Sequence, residues 1–104
     1  MDVKRDLFTI NNHISISKNI LTNREMEYLS MVALGYKNNV IAKNLFVTNS
    51  TVKKTLENIY RKLNAKDRAN AIAIAFTHKI LSAEIINNYT KYQNQYPKNL
   101  QKQN

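Results

Sequence analysis

With 104 residues the chain has room for one domain of modest core and none for a second, and its 43% apolar content is enough to build that core. The absence of cysteine excludes disulfides and thiolate metal sites and fits a reducing cytoplasm. Sixteen Lys and Arg against seven Asp and Glu give a net charge of +9, which points to a polyanionic partner, nucleic acid ahead of a membrane surface.

A single Gly and a single Pro leave few tight turns, so an all-α fold is expected. The N-terminus has no uninterrupted apolar core of a signal peptide, and no run approaches the roughly eighteen apolar residues of a membrane span. The expectation is a soluble, cytoplasmic protein with no membrane partner. Its charge is unevenly placed: between residues 37 and 68, eight Lys and Arg face only Glu57 and Asp67, giving +6.

Residues 1–20 read as a loosely structured lead-in, with a weak alternation at Ile14 and Ile16. The first clear helix starts at Asn23, because Thr22 followed by Glu25 forms a capping box. Met26, Leu29, Val32 and Ala33 keep helical spacing, and Gly35 stands where a C-terminal cap needs positive φ. Asn38 opens a two-turn segment with Ile41, Ala42 and Leu45 on one side, ending at Phe46–Thr48. Thr48 then caps a third helix over about 49–64. At about 100° per residue, Val52, Leu56, Ile59 and Leu63 of that helix form a narrow apolar stripe. Ser50, Lys54, Glu57 and Arg61 lie opposite it, with Lys53 beside them.

A fourth helix starts at the N-cap Asp67 and meets no breaker before Pro97. It is apolar on two faces: one stripe runs Ala69, Ile72, Phe76, Ala83, the other Ala71, Ile74, His78, Leu81, Ile85. A small domain covers only one of them, and the second stripe is expected to meet a partner. The domain is thus set at 21–86, and residues 87–104 read as a polar, basic tail expected to be disordered.

Nothing in the chain suggests an enzyme. His13 and His78 are far apart in sequence, there is no Gly-rich phosphate loop, and Glu25 and Glu27 are explained by capping and solvent exposure. No metal and no cofactor are expected. A short helix, a three-residue turn and a helix with a basic outer face form a helix-turn-helix, whose second member fits the major groove of DNA.

The segments "LTNRE", "ALG", "IAKNL", "STVK", "IYRKL" and "DRANA", in this order over Leu21 to Ala75, resemble the LuxR/GerE-type DNA-binding domain. The resemblance implies a four-helix helix-turn-helix domain, here with an extended C-terminal fourth helix, acting as a stand-alone transcriptional regulator on double-stranded DNA. It further implies that Lys53, Lys54 and Glu57 face base edges and that Asn38, Ser50, Thr51 and Lys62 lie near phosphates. The fourth helix commonly mediates dimerisation in this family, so a homodimer through Ala71, Ile74, His78, Leu81 and Ile85 is expected. A larger transcription regulator or RNA polymerase is a further candidate partner. An alternative is a protein-binding co-regulator or anti-regulator that pairs with a larger relative through its fourth helix. Three departures from the family pattern are visible: Lys37–Val40 lacks the usual capping box, Thr55 replaces a frequent His, and Glu57 stands where Ser or a basic residue is common. No receiver or ligand-binding domain accompanies the motif, so the usual regulatory inputs are expected to be absent.

Overall fold

A computed structural model describes residues 20–95, within which there are five helices and no strand. They are α1 (Asn23–Ala33), α2 (Asn38–Leu45), α3 (Asn49–Leu63), α4 (Arg68–Thr77) and α5 (Ala83–Gln95). The lead-in expected over residues 1–20 lies, but for its last residue, outside this range, as does the tail beyond Gln95.

Most of the helix ends have a local cause. The Thr22 hydroxyl accepts from the Glu25 N–H at 3.0 Å, and the Glu25 carboxylate accepts from the Thr22 N–H at 2.9 Å, closing the capping box of α1. At the other end Gly35 has φ 89°, which allows the Tyr36 N–H to turn back onto the Met31 carbonyl. α2 starts at Lys37 with no side-chain cap. It ends on Phe46 at φ 58°, from which the Val47 N–H reaches the Ala42 carbonyl. α3 is capped by Thr48, whose hydroxyl accepts from the Thr51 N–H at 3.1 Å, and α4 by Asp67, which accepts from the Asn70 N–H at 2.8 Å.

The fourth helix is not continuous to residue 86. Lys79 adopts φ 61°, the Ile80 N–H bonds back to the Ala75 carbonyl, and Ser82 caps a new helix by accepting from the Ile85 N–H at 3.1 Å. Ile80 and Leu81 in the connection are buried, 5% and 2% exposed, so the turn itself packs into the core. The chain then returns across α1 as α5, where Ile86 and Thr90 are buried and the Tyr89 hydroxyl donates to Asn23 Oδ1 at 3.0 Å. Residues 87–95, expected to be disordered tail, are therefore helical, held by the side on which Ile86, Tyr89 and Thr90 recur.

Helix α1 is the hub. It packs against α5, α3, α4 and α2, and its Leu29, Ser30 and Met31 are fully enclosed. Val52, Leu56, Ile59 and Leu63 all point into this core from α3, as their spacing predicts, and Ile41 and Leu45 enter from α2. Each fully buried Leu or Ile is worth about 1.5–3 kcal/mol relative to exposure. Arg24 joins the helices at one corner, its Nη2 donating to the last carbonyl of α2, Leu45, at 3.0 Å.

Candidate nucleic-acid interface

With Val52, Leu56, Ile59 and Leu63 turned inward, the opposite side of α3 has no protein neighbour to cover it. Ser50, Thr51, Lys53, Lys54, Glu57 and Arg61 are all exposed there, on a helix of fifteen residues. At 1.5 Å per residue this is about 22 Å of helix, and a helix about 10–12 Å across matches the ≈12 Å major groove of B-DNA. Ser50, Thr51, Lys54 and Thr55 line one shallow, open depression near its N-terminus. Of the predicted base-facing residues, Lys54 lies in that depression, while Lys53 and Glu57, one turn apart, are neighbours on the adjoining strip of the helix.

Thr51 is both a capping partner and available to a ligand. Its N–H donates to Thr48 Oγ1, and its own Oγ1 accepts from the Thr48 hydroxyl at 3.0 Å, so the Thr51 hydroxyl proton is left for an outside acceptor. Arg61 reaches Asn58 Oδ1 at 2.6 Å, which keeps its guanidinium against the helix.

Lys62 has a different environment from the one expected. Its Nζ donates to both oxygens of Glu25, at 2.9 and 3.0 Å, tying the last turn of α3 to the first turn of α1. Burial pushes the Glu25 carboxyl up. The hydrogen bond from Lys62, that from the Thr22 N–H, the Lys62 charge and the Thr22 side chain together outweigh it and leave the carboxyl below the ordinary glutamate range.

Asn38, at the start of α2, is half-buried, and its Oδ1 accepts from Arg68 Nη1 at 3.3 Å. Arg68 Nη2 also donates to the Tyr36 carbonyl. Burial raises the nearby Tyr60 phenol above its ordinary value, against the pull of the Arg68 cation and with a smaller upward push from Asp67. Sequence reasoning passed over Arg68. It stood only within the segment "DRANA", with no role of its own, and a further signal was a cation at the first position of a helix, where the helix dipole disfavours it.

Two of the five residues of the expected dimer stripe are buried, while Ile74, His78 and Ile85 keep part of their surface. Ala71 and Leu81 are 0% and 2% exposed inside the domain's own core, and Ile74 and Ile85 pack against that core. His78 ends α4 as its C-cap. The stripe assumed one unbroken helix, and the reversal at Lys79 turns Leu81 inward. Its rival is the exposed one: Ala69, Phe76 and Ala83 face solvent, Phe76 at 44%, with Ala73 beside them and Ile72 half-buried. Among the described residues no group of three or more His, Cys, Asp or Glu could hold a metal ion, and no helix is long and apolar enough to cross a membrane.

The family model described as "Bacterial regulatory proteins, luxR family" matches residues 19–75, from just before α1 into α4. The chain belongs to this family. It carries the family's helix-turn-helix, formed here by α2, the Phe46–Thr48 turn and α3. The luxR-family match ends before the Lys79 turn, the point at which the structure departs from the expected helix. Among curated proteins the chain is similar to the "Response regulator protein VraR" of Staphylococcus aureus strain Mu3, of Staphylococcus saprophyticus and of Staphylococcus epidermidis. Each is 44% identical over 62 residues, covering 60% of this chain and 30% of the relative. The chain thus spans about a third of the length of these curated relatives. No solved structure matches it.

Proposed function

We propose that this luxR-family chain is a sequence-specific transcription regulator that binds duplex DNA, with α3 in the major groove. The observation that supports the reading is the uncovered face of α3, where Ser50, Thr51, Lys53, Lys54 and Arg61, with Glu57 the one carboxylate, stand on a helix of groove-matching length. Lys53 and Lys54 read guanine O6 and N7, and Glu57 accepts from a cytosine amino group. Ser50, Thr51 and Asn38 hold phosphates, and Lys62 adds the one N–H left to it by Glu25. No catalysis and no cofactor enter this reading, which places the protein in the cytoplasm with the chromosome.

The protein acts as a homodimer through the outer face of α4, Ala69, Ile72, Ala73 and Phe76. This apolar strip on a strongly basic domain, with Ala69, Ala73 and Phe76 exposed, supports an interface there over the stripe whose Ala71 and Leu81 the fold has buried. Two-fold pairing presents two copies of α3 to half-sites about 10 bp apart. Selection of bound sites from random duplex DNA tests the proposal: an enriched palindrome with that spacing is expected. Recovery of no enriched sequence overturns sequence-specific binding, and a single unrepeated half-site overturns the dimer.

A further inference from the structure

We infer that Arg68 is a positioning residue for backbone contact, orienting the Asn38 amide so that its N–H donors are presented to a phosphate. The inference rests on the duplex-DNA reading above and deepens it.

Arg68 is the first residue of α4, and a cation there opposes the positive end of the helix dipole. Its own helix therefore gives no reason for it. The guanidinium instead reaches back thirty and more residues in sequence, Nη1 to Asn38 Oδ1 at 3.3 Å and Nη2 to the Tyr36 carbonyl, spanning the turn that leads into α2. A guanidinium is a planar fork with donors at fixed spacing, so holding two acceptors on either side of Lys37 sets the entry of the chain into α2.

The chemistry of the amide completes the argument. An asparagine side chain offers one acceptor oxygen and two N–H donors. With one lone pair of the oxygen engaged by the cation, the amide is held in one orientation, and its two N–H donors suit a phosphate oxygen, which accepts. The start of α2 adds to this. Lys37 provides no side-chain cap and its carbonyl takes the Val40 and Ile41 N–H groups, so the Asn38 and Asn39 backbone amides are the ones beside the Asn38 side chain. The missing cap, a defect in the stability of α2, is consistent with a start that is completed by the ligand.

A double-mutant cycle on the full chain tests this, using a selected duplex site and random duplex, with circular dichroism to establish folding. Arg68→Lys keeps the charge and loses the fork. It is expected to weaken binding about threefold to tenfold, the worth of one hydrogen bond, with an unchanged salt slope. Asn38→Ala is expected to do the same, and the double variant to be no worse than the weaker single. Additive losses in a protein whose wild type binds DNA overturn the inference alone, whereas a wild type that binds no duplex removes the reading beneath it. A readout on the wild type guards against a variant that fails to fold. The Asn38 side-chain amide signals in a nitrogen-15 correlation spectrum are expected to shift when duplex is added, and signals that stay in place overturn the assignment.

Discussion

Four residues with positive φ end four helices in this domain, and only one of them is glycine: Gly35, Phe46, Asn64 and Lys79. A side chain at Gly35 meets nothing within 4 Å, so the cost of Gly35→Ala is conformational, about 1–2 kcal/mol of lost stability in urea denaturation. Lys79→Gly should act the other way, gaining about 0.5–1 kcal/mol by removing a Cβ from the left-handed region. A loss at Lys79→Gly contradicts the turn placed there. Glu25 supplies the residue-scale prediction for pH. Its carboxyl is lowered in the folded state, so its contribution is fully present above the unfolded glutamate value and is lost as pH falls through the lower folded value. Unfolding measured against pH should show the wild type losing stability below the ordinary glutamate range, and Glu25→Gln should flatten that limb. Equal slopes would show that the Lys62 pair is not felt.

At the scale of elements, much of the fold was legible because the signals were local. The Thr22 and Glu25 capping box, Gly35, the Thr48 cap and the Val52 to Leu63 stripe each depend on residues within a turn or two, and the helices stand where these put them. The break between α4 and α5 was missed because its left-handed residue is Lys79, with neither Gly nor Pro to mark it. The one available cue was Ser82 ahead of Glu84, an N-cap with an acidic first turn inside an apolar run. Periodicity could not choose between the two stripes of this segment, since both are apolar, and the fold buries Ala71 and Leu81 of one while leaving Ala69, Phe76 and Ala83 of the other exposed. The α3 face was readable as polar and basic, whereas the bonds of Asn38 and Lys62 to residues some thirty positions away were not. For α3 itself, Lys53→Ala and Lys54→Ala should weaken the selected site more than random duplex, by about 1–3 kcal/mol of discrimination. Equal losses on both would reduce these lysines to phosphate contacts. Lys62→Ala should lower the salt slope less than either, because Glu25 already balances its charge.

For the molecule as a whole, the two apolar surfaces of the α4–α5 region make opposite predictions. Leu81→Lys places a charge in the core and should unfold the domain, as circular dichroism would report. Ala73→Lys combined with Phe76→Lys alters the exposed strip and should give a folded monomer in sedimentation, with weak DNA binding and no cooperative occupation of half-sites. A double variant that stays dimeric puts the interface elsewhere. A wild type that pairs only with a longer relative, and not with itself, favours the co-regulator reading. The central claim, direct binding of duplex DNA through a basic face, is tested most directly by titrating the wild type against duplex between 50 and 200 mM salt. If the dimer neutralises about six to ten phosphates, affinity falls by about 10³–10⁵ over that interval. An affinity that does not change with salt, or an absence of binding at the lowest salt, would contradict the account.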